Sequence, residues 1–110
     1  MKKVSLRDQD LAVLRRTFRR FPFVDEVCVF GSRATGNASR ASDLDLAIFA
    51  PKATAAEWAD LCEALENAPL IYDLDVVRPD RSANDRLRVK IEREGTRIYP
   101  LELQNSETRL

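Results

Sequence analysis

Val27-Cys28-Val29-Phe30-Gly31-Ser32-Arg33-Ala34-Thr35-Gly36, followed by Ser42-Asp43-Leu44-Asp45-Leu46-Ala47-Ile48-Phe49, is the stretch that decides the fold. The first apolar run ends in a Gly-Ser turn, and the second opens on two carboxylates one residue apart. Side chains at i and i+2 of a strand point to the same face, roughly 6–7 Å apart. Asp43 and Asp45 can therefore serve one shared space. Gly31 lets the backbone approach a phosphate without a Cβ in the way. Ser32 offers its hydroxyl and its N–H to the same phosphate, and Arg33, read as an exposed loop residue, adds a charge-assisted contact. Carboxylates that hold Mg²⁺ beside donors that hold phosphate are the parts needed to move a nucleotidyl group.

Outward from this stretch, the pattern predicts an amphipathic helix over residues 6–21, with Leu11, Leu14, Phe18 and Phe21 on one face. Ser5 is its expected N-cap, with Asp8 three residues on, and Pro22 its stop. Arg15, Arg16, Arg19 and Arg20 make the other, solvated face. Strands are expected at 26–30 and 44–49, joined by the turn, a short helical or irregular link and a small polar loop from Asn37 to Ser42. Thr54-Ala55-Ala56-Glu57 is a capping box, and Trp58, Leu61, Cys62 and Leu65 follow on one helical face until Pro69. A third strand is read from Leu70 to Val77. A last helix runs from Asp85 to Glu94, capped near Ser82 and closed by Gly95, and a short strand from Thr96 to Pro100. The order α-β-β-α-β-α-(β) predicts an α+β fold, a small mixed β-sheet flanked by helices. Residues 1–100 make one domain, and 101–110 a polar tail expected to fray.

Composition narrows the chemistry. The 110 residues carry 18 basic and 18 acidic side chains, a neutral balance unlike that of a general nucleic-acid binder. No apolar run is long enough to cross a membrane, and Met1-Lys2-Lys3-Val4-Ser5 lacks a signal peptide's apolar segment, so a cytoplasmic location is the expectation. The chain has no histidine, which removes Ser-His and Cys-His catalysis and the usual zinc sites. Any metal must be held by carboxylates, which favours Mg²⁺ or Mn²⁺. Cys28 and Cys62 read as small buried apolar residues.

The third strand, Ile71-Tyr72-Asp73-Leu74-Asp75-Val76-Val77, adds carboxylates at Asp73 and Asp75 on one face. Asp75 stands deeper in the apolar run, where an unpaired charge is expected to be costly unless a partner offsets it. A metal gripped by Asp43 and Asp45 on a neighbouring strand would do so. Asp43, Asp45 and Asp75 are thus the candidate catalytic and metal-binding residues, expected to hold two Mg²⁺ ions. Gly31, Ser32 and Arg33 are the candidate nucleotide-binding residues.

These residues resemble the signature of minimal nucleotidyltransferases (MNT) in the DNA polymerase beta-like nucleotidyltransferase superfamily. The match is carried by Gly31-Ser32-Arg33-Ala34-x-Gly36, Ser42-Asp43-Leu44-Asp45-Leu46 and Leu74-Asp75-Val76-Val77. It continues through Glu92-Arg93-Glu94-Gly95-Thr96-Arg97-Ile98-Tyr99 and covers roughly the first 100 residues. The resemblance implies a polymerase beta-like core, with Gly31 and Ser32 as the phosphate-binding turn and Asp43, Asp45 and Asp75 as the metal carboxylates. It implies ATP as substrate and Mg²⁺ as cofactor. Small members commonly act as antitoxins beside an all-helical HEPN ribonuclease toxin, transferring AMP to one of its tyrosines. The partners implied are that toxin, in a hetero-oligomer, and a nucleoside triphosphate, with no membrane and no direct nucleic-acid binding. Thr35 departs from the pattern, standing where relatives often carry a basic residue. Two other readings stay open: an antitoxin that neutralises by binding alone, and a nucleotidyltransferase for a small molecule such as an aminoglycoside.

Overall fold

The computed structural model describes residues 6–35, 43–82 and 84–100. Its elements are α1 (Asp8–Arg19), β1 (Glu26–Phe30), α2 (Ser32–Thr35), β2 (Leu44–Phe49), α3 (Ala55–Glu66), β3 (Leu74–Val77), α4 (Pro79–Ser82), α5 (Asp85–Glu94) and β4 (Thr96–Tyr99). The strands form one sheet in the order β3-β2-β1-β4. β1 pairs antiparallel with both β2 and β4, while β2 and β3 run parallel. The fold is the small mixed sheet with flanking helices that the element order predicts.

Alternation along β1 and β2 assigns the two faces. Val27, Val29, Leu44, Leu46 and Ile48 pack with Leu14 and Phe18 of α1 and Leu61 and Leu65 of α3 into the main core. Cys28, Phe30 and Ala47 turn the other way and meet Ile91 of α5. Period-2 burial on a sheet covered on both sides is the physical reason both runs are almost wholly apolar. Cys28 is buried as expected, whereas Cys62 is only half-buried.

Several boundaries differ from the sequence reading. Helix α1 begins at Asp8, with Arg7 rather than Ser5 at the N-cap and no side-chain cap; Arg7 instead pairs with Asp10. Ser5 lies outside the described residues. The helix ends at Arg19, with Arg20 as its C-cap, short of Phe21, the residue that Pro22 biases away from helical backbone. Strand β3 starts only at Leu74, not Leu70. Its parallel partner begins at Leu44, paired with Leu74, so the ladder reaches back no further than the Asp73 carbonyl, and Ile71 is 69% exposed. Strand β4 stops at Tyr99 rather than at Pro100, which has no N–H to donate to a ladder.

The remaining ends follow their capping chemistry. Thr54 and Glu57 form the reciprocal capping box of α3, with Thr54 N–H donating to Glu57 Oε1 at 2.9 Å and Glu57 N–H to Thr54 Oγ1 at 3.1 Å. Helix α5 has the expected span, but its N-cap is Asn84, whose Oδ1 accepts from Leu87 N–H at 2.8 Å, not Ser82. Ser82 instead closes α4, a single turn too short for periodicity to reveal, opened by Pro79 at the helix position that proline fits best.

Candidate active site

The turn between β1 and α2 is set by Gly31, the one described glycine with positive φ, at 76°. A Cβ there would collide with Oδ2 of Asp45, so the close approach of turn and carboxylate requires glycine. Gly31 N–H donates to Glu94 Oε1 at 3.2 Å, and Ala34 N–H donates back to the Gly31 carbonyl at 3.0 Å. Ala34 is buried in the main core, which anchors α2 immediately after the turn.

Asp45 pairs with Phe30 across the antiparallel ladder and with Asp75 across the parallel one. By alternation, Asp43, Asp45 and Asp75 all turn to the sheet face covered by α5. The main-chain N–H of Leu44 donates to the carbonyl of Asp73 at 2.9 Å, fixing the register just where the acidic strand ends meet. Burial pushes the Asp45 carboxyl above the ordinary carboxylate range; the Asp75 charge and a hydrogen bond with Asp75 add to this, as does Asp43, while Lys90 opposes it.

The structure thus brings together Gly31, Asp45 and Asp75, with Asp43 one alternation further along. It changes two expectations. Asp75 is exposed on the edge strand β3, so it bears no deep-burial cost; the more buried carboxylate is Asp45, itself half-buried. Arg33 is not an exposed loop arginine. It is 5% exposed, and its guanidinium lies over the Tyr72 ring at 4.2 Å from the centroid. Asp73 is exposed and sits just before β3. Gly36 and the loop from Asn37 to Ser42 lie outside the described residues, as does the tail at 101–110.

Lys90 and Glu94 adjoin this candidate site, and motif reading missed them. They are one helical turn apart on α5, so one face of the helix brings Lys90 towards Asp45 and Glu94 to Gly31. Arg86, Val89, Lys90, Arg93 and Glu94 line an open concavity of about 330 Å³. The spacing was visible in the sequence, but nothing local says which sheet face the helix covers.

Among the described residues, no three carboxylates are gathered closely enough to grip an ion in this conformation. In kind the donors suit one. They are oxygens only, which fits Mg²⁺, and the repulsion that raises the Asp45 carboxyl is one a divalent cation would remove.

Comparison with known proteins agrees with this fold. Three solved structures share the fold. A crystal structure of a toxin–antitoxin with AMP-PNP matches at 23% identity and TM-score 0.68, over 88% of this chain and 78% of that one. A crystal structure of the toxin–antitoxin MntA–HepT matches at 21% identity and TM-score 0.57, over 91% and 78%. A tri-AMPylated Shewanella oneidensis HEPN toxin in complex with its MNT antitoxin matches at 21% identity and TM-score 0.50, over 90% and 73%. No curated protein sequence is detectably similar. The model of the family "Polymerase beta, Nucleotidyltransferase" matches residues 12–102, spanning the Gly-Ser turn and all three candidate carboxylates. With that span and this fold, the chain belongs to the polymerase beta nucleotidyltransferase family.

Proposed function

We propose that this chain is the antitoxin of an MNT/HEPN pair and a protein adenylyltransferase, moving AMP from ATP to a tyrosine hydroxyl of its toxin. The observation that carries the reading is the in-register pair Asp45–Asp75 beside the Gly31 turn. It supplies acidic oxygens next to a glycine backbone that a phosphate can approach. The structural relatives support the rest: one is a toxin–antitoxin with AMP-PNP, and another contains a tri-AMPylated HEPN toxin.

In the reaction, the tyrosine oxygen bonds to the α-phosphorus, the α–β anhydride bond breaks and pyrophosphate leaves. Gly31 and Ser32 hold the triphosphate. Asp43, Asp45 and Asp75 would hold Mg²⁺, which would supply charge neutralisation on the triphosphate and a lower pKa for the attacking hydroxyl. Asp75, exposed on the open edge of the sheet, is placed to take the proton from an acceptor arriving on another protein. Lys90, on the α5 face beside Asp45, offers positive charge to the departing pyrophosphate. The complete set of carboxylates and the intact Gly-Ser turn favour catalysis over neutralisation by contact alone.

The test is co-expression of the chain with its toxin. Wild type should restore growth, and Asp45→Asn should not. Full protection by Asp45→Asn, with a stable complex formed, would move the function to binding alone.

A further inference from the structure

On the opposite side of the sheet from the carboxylates, Asp10 is 1% exposed in the first turn of α1. A buried carboxylate is costly unless it is well paired. Its partner is Arg7, whose Nε and Nη2 donate to Oδ2 and Oδ1 at 2.8 and 2.9 Å, a bidentate pair. Tyr72 interacts with both members of the pair. The face of the same ring carries the Arg33 guanidinium, 4.2 Å from its centroid and itself 95% removed from solvent.

These contacts join three segments distant in sequence. Arg7 and Asp10 open α1. Arg33 is the second residue of α2, directly after the Gly-Ser turn. Tyr72 lies in the extended approach to β3, three residues before Asp75. A planar guanidinium stacked on a ring is held in one orientation, which an ammonium on a flexible stem is not. An exposed loop position would need no such ring.

We propose that Tyr72 is a positioning residue for the nucleotide site. Its ring fixes Arg33, and with it the Gly31–Ser32 turn, relative to the strand that carries Asp75. Arg33 then acts through the turn it anchors. This inference rests on the reading that the turn holds the nucleotide's phosphates, and it adds a reason for the geometry of that turn.

Equilibrium binding of AMP-PNP with Mg²⁺ to the purified chain tests it, with thermal unfolding run alongside. Tyr72→Leu, which removes the ring, should weaken binding roughly 10-fold, in line with a desolvated cation–π contact. Tyr72→Phe, which keeps the ring face, should stay within about threefold of wild type. Arg33→Lys, which keeps the charge but loses the plane, should behave like Tyr72→Leu and remains informative if that variant does not fold. Wild-type affinity in both Tyr72→Leu and Arg33→Lys overturns the positioning role, as does an equal loss in Tyr72→Phe and Tyr72→Leu. No binding by wild type would instead overturn the nucleotide reading of the turn, which separates the two failures.

Discussion

Asp45 and Asp75 sit directly opposite each other on parallel neighbouring strands, and burial together with the Asp75 charge holds the Asp45 carboxyl above its ordinary range. Two carboxyls placed this way cost the protein stability when both are charged. A fold that keeps them in register does so against its own electrostatics, as expected of a site that meets a cation.

The first prediction follows from the sign of that shift. Because the folded-state value of Asp45 lies above the unfolded one, its stabilising contribution is present below about pH 4 and is lost as pH rises through the folded value. Asp45→Asn without metal should therefore raise the melting temperature at neutral pH by a few degrees, and the gain should vanish in acid. Thermal unfolding across pH reads this directly, and a lower melting temperature for Asp45→Asn at pH 7 would contradict it.

Asp10 should show the opposite sign. The Arg7 hydrogen bond holds its carboxyl below the usual range, with Tyr72 adding to the effect. Its contribution is present above about pH 4 and is lost as pH falls through the lower folded value. Asp10→Asn should be less stable than wild type at neutral pH, and the two melting curves should converge on acidification.

Gly31→Ala meets two obstacles at once, a φ of 76° and the Asp45 carboxylate where the new Cβ must go. The left-handed backbone alone should cost about 1–2 kcal/mol. Displacement of Asp45 should also abolish AMP-PNP binding. Denaturant unfolding and calorimetric titration of the same variant separate the two effects.

Thr54→Ala is the control away from the site. It removes half of the α3 capping box and should cost about 1 kcal/mol. Its transferase activity should match wild type at a temperature where both are folded. A selective loss of activity would mean that α3 reaches the site by a route the structure does not contain.

The parts of the fold legible in the sequence were those fixed locally. Val27 to Phe30 and Leu44 to Phe49 are bounded apolar runs, Thr54 with Glu57 states a helix start in its own side chains, and Gly95 after Glu94 marks a helix end. Strand β3 was over-extended because Leu70 to Val77 is continuously apolar or alternating, while its true start is set by Leu44 on another strand. The same limit applies to the site. Gly31, Asp43, Asp45 and Asp75 became candidates by residue type and spacing, and the fold brings Gly31, Asp45 and Asp75 together. The burial of Arg33, its stacking on Tyr72 and the approach of Glu94 to Gly31 depend on residues far apart in the chain, whose meeting leaves no periodic signal.

The most direct test of the central claim is the intact mass of the cognate HEPN toxin after incubation with this chain, ATP and Mg²⁺. One or more added AMP units, absent when the doubly substituted Asp43→Asn/Asp45→Asn chain is used, is the predicted result. An unchanged toxin mass in the presence of wild type, with the complex formed and ATP bound, would contradict it.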